Sequence, residues 1–126
     1  MDQQLLKLEL EISHRQQELC RKYGAPYFET SIDKLLGIAT ETFAKPMKWP
    51  INGLRHPIES ENSSNWYIWA GEDFKETDDF FQPMHIYHLN KVYPKILDYL
   101  GLPPGWRFLF DDTYEDVWYD ESLLHI

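Results

Sequence analysis

Trp66-Tyr67-Ile68-Trp69-Ala70 constrains the fold more than any other stretch of this chain. An extended segment turns successive side chains to opposite faces, so this one carries large rings on both, and both must be covered. Gly71 ends it. A second pair of aromatic segments follows. Pro104-Gly105 suits a turn with glycine where φ is positive, after which Trp106–Phe110 and Tyr114–Tyr119 alternate around Asp111-Asp112-Thr113 and predict a hairpin.

Helical periodicity appears first at residues 2–23, with Asp2 as the candidate N-cap and Leu5, Leu8, Ile12, Leu19 and Tyr23 on one stripe. Lys7, Glu11, Gln17 and Glu18 fill the opposite face. Gly24 and Ala25-Pro26 stop the helix, making residues 1–24 an arm that packs on the rest or on a second copy of the chain. The β-branched Ile38, Thr40 and Thr42 favour a strand over 36–43, whereas the prolines, Gly53 and polar run of 44–65 predict mostly loop. Acidic residues 73–79 form a surface loop. It leads to a second helix over 81–93, with Pro83 in its first turn and Asp79 serving its free donors. Pro94 kinks that helix or starts a new one reaching Leu100. Gly101-Leu102 then reads as a left-handed cap, which Pro103 supports. Strands at 36–43, 66–70, 106–110 and 114–119 predict an α+β fold: a small, largely antiparallel sheet of about four strands with helices on one face and an N-terminal helix. The whole reads as a single domain, with residues 31–126 as its core.

A chain of 126 residues, 43% of them hydrophobic, can bury roughly two-thirds of its unfolded surface without a staple. The lone Cys20 has no disulfide partner and no zinc spacing, which suits a reducing cytoplasm. Met1-Asp2-Gln3-Gln4 lacks the basic start of a signal peptide, and no apolar run approaches the roughly 20 residues of a membrane span. The formal charge is -9, from 21 acids against 12 Lys and Arg. Such a field repels nucleic acid and steers basic proteins inward.

Candidate chemistry is sparse. His85 and His88 stand three apart near Asp78 and Asp79, which makes a metal-dependent or hydrolytic enzyme the rival reading. His85 nevertheless falls on the stripe Phe81, His85, Leu89, Val92, Ile96, Leu100, where a packed histidine is the better expectation. Cys20 lies by the apolar face of its helix and reads as packing. Ser60, Ser63 and Ser64 share a loop with His56 but lack a nucleophile elbow. In Asp78-Asp79, Asp111-Asp112 and Glu115-Asp116, adjacent extended residues point apart, which suits solvated acids better than a glycosidase pair. No phosphate-binding glycine loop is present, and no cofactor or metal is expected. The aromatic content of 16%, with five Trp, is the distinguishing feature. Rings beside acids make anchors for a partner's Lys and Arg.

Several words occur together from Pro50 onward. They are Asn52-Gly53-Leu54-Arg55-His56-Pro57, Trp66-Tyr67-Ile68-Trp69-Ala70-Gly71-Glu72, Phe80-Phe81, Leu100-Gly101-Leu102-Pro103-Pro104-Gly105-Trp106-Arg107-Phe108-Leu109 and Tyr114-Glu115-Asp116-Val117-Trp118-Tyr119-Asp120. In that order they resemble the immunity-protein family thirty-three-like domain of bacterial polymorphic-toxin systems. The resemblance covers about 70 residues and leaves out the first 30. Where the family pattern favours glycine before the first Trp, this chain has Asn65. The resemblance implies a non-enzymatic protein that neutralises a cognate toxin by stoichiometric binding, with a basic toxin domain as partner. Arg55, Trp69, Glu72, Asp73, Asp78, Asp79, Asp116 and Trp118 are the candidate contacts. Arg55 and Arg107 also suit structural pairing with acids such as Glu72 or Asp116. A homodimer through the N-terminal helix is a further candidate assembly.

Overall fold

A computed structural model describes residues 3–74 and 79–125; the expected N-cap Asp2 and the candidate contact Asp78 lie outside the described residues. Helix α1 (Gln3–Tyr23) is followed by β1 (Leu35–Ile38), α2 (Thr40–Phe43), β2 (Ile51–Arg55), β3 (Ser63–Ala70) and β4 (Gln82–His85). A 3₁₀ turn (Ile86–His88), α3 (Leu89–Val92) and a 3₁₀ segment (Pro94–Tyr99) lead to β5 (Trp106–Phe110) and β6 (Glu115–Tyr119), and a last 3₁₀ turn spans Glu121–Leu124. Among the described residues the sheet has six strands in the order β4-β1-β3-β2-β5-β6, against the expected four or so. Among them only β1 and β3 run parallel.

Both additional strands lie where proline and glycine suggested otherwise. β2 occupies the expected 44–65 loop, between Pro50 and Pro57, and pairs with β3 on one side and β5 on the other. Gly53 is required there: a Cβ would come 2.1 Å from the Phe108 ring that crosses it. β4 replaces the start of the expected 81–93 helix. It pairs with β1 alone, and the Ile86 N–H bond to Lys34 O sets a register that turns the Pro83 backbone outward, where its missing N–H costs nothing. The expected 36–43 strand stops at Ile38. Thr42 instead sits in α2 and donates to Ala39 O at 2.7 Å, while its Oγ1 accepts the Ala70 N–H at 2.9 Å.

The expected turns hold in part. Gly24 and Gly105 have φ of +69° and +94°, but Gly101 is not left-handed; it is small because Tyr27 and Gln16 crowd it, with a Cβ 2.8 Å from Tyr27. Asn65 has φ +58° beside the register shift between β1 and β3. Asparagine tolerates that conformation better than any bulky residue, so it serves where glycine is the usual solution.

Strand alternation divides the sheet. One face carries Ile38, Ile51, Trp66, Ile68, Ala70, Phe108, Phe110 and Val117, all buried in one core with residues of α1 and the 94–99 segment. The stripe Leu5, Leu8, Ile12, Leu19 and Tyr23 turns into this core, so the helix packs on its own chain. Arg15 pairs with Asp98 at 2.7 Å, and Gln16 Nε2 donates to Leu97 O at 2.9 Å. Cys20 is 2% exposed, its thiol pushed up by burial. At the end of α1, Tyr23 Oη donates to Glu115 at 2.6 Å, Lys22 Nζ reaches it at 2.8 Å, and Tyr99 Oη donates to its other oxygen. Burial by itself raises the Glu115 pKa, but these three donors outweigh it and bring it down to about 2. Tyr23 and Tyr99 shift upward, first through burial and then through the same carboxylate.

Candidate protein-interaction face

The opposite face of the sheet is less thoroughly covered. Alternation puts Asn52 and Leu54 of β2, Tyr67 and Trp69 of β3, Arg107 and Leu109 of β5, and Asp116 and Trp118 of β6 on it. Gly71, with φ +94°, turns the chain after β3. Phe74 comes to lie edge-on to Trp69, with ring centroids 4.9 Å apart, and is 43% exposed. Phe80 and Phe81 extend the aromatic cover to Tyr67. From the far side the Glu121–Leu124 turn lays down Leu123, whose carbonyl lies 3.2 Å from His56 Nδ1.

Between these two covers runs a groove of about 470 Å³, lined by Leu54, His56, Trp69, Phe74, Arg107, Ser122 and Leu123. Its walls are mainly aromatic and aliphatic, with Ser122, the His56 ring and the Arg107 guanidinium as polar groups. Arg107 Nη1 donates to Asp120 at 3.3 Å, and its guanidinium lies 5.4 Å from the Trp118 ring centroid. Arg107 Nε is enclosed and has no hydrogen-bond acceptor among the described residues. Glu72 and Asp73 are exposed on the connection after β3, next in sequence to groove residue Phe74, and Asp79 is exposed further along it; Glu121 is exposed next to groove residue Ser122, and Asp116 is half-buried on β6. Hydrogen bonds from Ser122, then the Arg107 charge, keep the Asp120 carboxyl below its ordinary range. A largely apolar groove with acids on neighbouring segments suits contact with another protein.

The structure thus brings Trp69, Asp116 and Trp118 onto one face and puts Glu72, Asp73 and Asp79 on the connection that borders it. Arg55 is elsewhere. It is fully buried on the other face, and it pairs with neither Glu72 nor Asp116. Its Nε donates to Ser64 O at 2.9 Å, Nη1 to Leu102 O at 2.8 Å and Nη2 to Thr30 Oγ1 at 3.0 Å, with Phe28 and Trp66 stacked near it. Burial lowers its pKa to about 10. Arg107 likewise pairs with Asp120 and not with the acids expected for it. Phe74, Leu54, His56 and Leu123 are groove residues that the sequence reading passes over. Leu54 and His56 were hidden by the assignment of 44–65 to a loop.

A model of the Imm33-like domain matches residues 15–120. The chain belongs to this family. The match begins within α1, well before Pro50, so the Imm33-like unit includes the second half of the helix, the part that carries Gln16, Cys20 and Tyr23 into the core. No curated protein and no solved structure matches the chain. Membership makes it a domain of the immunity-protein class.

The two histidines of the rival reading do not lie on one helix. His85 ends β4, its Nδ1 2.7 Å from Asp33 O and its ring stacked on Tyr87; His88 is in the following turn, 6.3 Å away between ring centroids. Among the described residues no group of three or more His, Cys, Asp or Glu side chains is placed to hold a metal ion. No helix there is long and apolar enough to cross a membrane.

Proposed function

We propose that this chain neutralises a bacterial toxin by binding it directly, one to one, with the groove between Trp69, Phe74, Arg107 and Leu123 at the centre of the contact. The observation that carries the reading is the Imm33-like match over residues 15–120, joined to a largely apolar groove on the less covered sheet face. The groove anchors a side chain of the toxin; Glu72, Asp73, Asp79, Asp116 and Glu121 attract its basic surroundings and speed encounter. No turnover is required of such a protein. It acts in the cytoplasm, where Cys20 stays reduced and the toxin must be met.

The test is to express the tagged chain in its native host, recover bound protein, and challenge cells with the toxin encoded beside it. A small basic toxin domain in equimolar complex, and survival that depends on this chain, are the expected results. If no partner is recovered and deletion leaves cells indifferent to neighbouring toxins, the reading fails.

A further inference from the structure

We infer that the outer edge of β6 receives a β-strand from a basic partner protein, extending the six-stranded sheet. This inference rests on the toxin-binding reading and specifies how the partner is held.

The two sheet edges differ. β4 is four residues long and presents Pro83, which has no N–H to offer an incoming strand. β6 has five residues and no proline. The bonds from Asp111 N–H to Tyr114 O and from Asp120 N–H to Gly105 O fix the phase of its pairing with β5. In an antiparallel ladder bonding alternates, so Asp116 and Trp118 spend their main-chain groups on β5 while Glu115, Val117 and Tyr119 turn theirs outward. Among the described residues nothing hydrogen-bonds to those three outward-facing main-chain sites. They form a template at the spacing a strand requires.

Charge selects the occupant. Six of the residues 111–121 are Asp or Glu, and none is Lys, Arg or His. Lys22 engages Glu115 and Arg107 engages Asp120; Asp111, Asp112, Asp116 and Glu121 have no Lys or Arg ion pair among the described residues. Acids along an open edge repel a second copy of this chain and favour a strand with Lys or Arg at alternate positions. Tyr119, 49% exposed on the face opposite the groove, supplies a ring for those side chains. Because Trp118 lies under Arg107, a strand on this edge stands beside the groove, and one partner can use both.

Residue-resolved amide exchange of the full chain decides the matter, measured alone and with the activity-disabled toxin domain encoded beside it. Added protection should alternate: gained at Glu115, Val117 and Tyr119, and unchanged at Asp116 and Trp118, which β5 already protects. Tyr119→Pro, which removes one outward N–H at an exposed side chain, should weaken the complex at least tenfold. A complex that leaves the three amides unprotected overturns the edge inference and leaves the toxin reading standing. Protection of the edge in the free chain that rises with concentration overturns it in favour of self-pairing. Absence of any complex, with cells left unprotected, sinks the toxin reading and this inference together.

Discussion

Arg55 gives an Nη1–H bond to the carbonyl of Leu102 at 2.8 Å, and among the described residues no carboxylate lies within ion-pair distance of it. A fully buried cation is thus held by carbonyls, the Thr30 hydroxyl and two rings. The guanidinium joins β2 to the bend after β3's start, to the loop before β5 and to the segment that follows α1. Its removal leaves Ser64 O, Leu102 O and Thr30 Oγ1 facing a void, while the fourth acceptor, Leu100 O, keeps the Trp66 indole N–H.

Arg55→Ala is therefore expected to cost about 3 to 5 kcal/mol in urea unfolding, through unsatisfied acceptors and a cavity. Arg55→Lys should recover less than half of that, since one ammonium cannot serve Ser64, Thr30 and Leu102 at their separate positions. Full recovery by lysine would show that charge, not the planar fork, matters.

Gly53→Ala should be as damaging as many larger changes. Its new methyl would stand 2.1 Å from Phe108, whose ring is stacked on Tyr99 with centroids 4.5 Å apart. Phe108 cannot yield without moving Tyr99, and Tyr99 is bound to Glu115. A loss of about 3 kcal/mol is expected. A melting temperature within a degree or two of the parent would mean that the ring has room to move.

These two positions also show why part of the fold is hidden from sequence reading. Asn52 and Gly53 have poor strand propensity, and β2 exists because it is paired on both sides and because only glycine fits under Phe108; local preference loses to tertiary packing. Pro83 marks a helix start as readily as a sheet edge, and only the pairing with β1 distinguishes them. The threonines at 40 and 42 read as strand, yet Thr42 is used for its hydroxyl at the end of β3. Where the signal was local it was legible: the α1 stripe, the aromatic β3 and the hairpin of β5 and β6 stand nearly where their patterns put them. For the interaction face, alternation within β3 and β6 put Trp69 on the same face as Trp118 and Asp116, with β2 and β5 between them, once the strands were known. Phe74 and Leu123 carry no such signal, because loop and turn geometry deliver them.

The Glu115 carboxylate makes stability pH-dependent in a defined window. Its pKa falls from an ordinary value near 4.5 to about 2 on folding, so its contribution is complete above pH 4.5 and is lost as pH drops towards 2. With most of the side chain covered, that contribution is about 2 to 3 kcal/mol. Glu115→Gln should lower stability at pH 7 and flatten the decline between pH 4.5 and 2.5, measured by denaturant unfolding at each pH. An unchanged slope would assign the acid sensitivity to other carboxylates.

Deleting residues 1–24 should unfold the chain and not merely split an assembly. Ile12 and Cys20 are 1% and 2% exposed, Tyr23 holds Glu115, and Gln16 binds Leu97 O, so removal strips the cover from the 94–99 segment that packs on the sheet. Light scattering and circular dichroism on the shortened chain should report aggregation with lost tertiary signal. A folded monomer obtained from a dimeric parent would instead make the helix an assembly element.

Trp69 and Phe74 lie in contact yet are expected to fail in different assays. Trp69 is 5% exposed, within the Ala39, Leu54, Phe80 and Leu123 cluster, and Trp69→Ala should cost about 3 to 5 kcal/mol of stability, taking binding with it. Phe74, 43% exposed, has less to lose in the free protein and more to gain when a partner covers the groove. Phe74→Ala should leave stability within about 1 kcal/mol of the parent while weakening the toxin complex by about 2 kcal/mol, roughly thirtyfold, mostly through faster dissociation. Calorimetric binding on folded variants separates the two effects. Equal affinity for Phe74→Ala and the parent would move the contact away from the groove, towards the β6 edge or another surface.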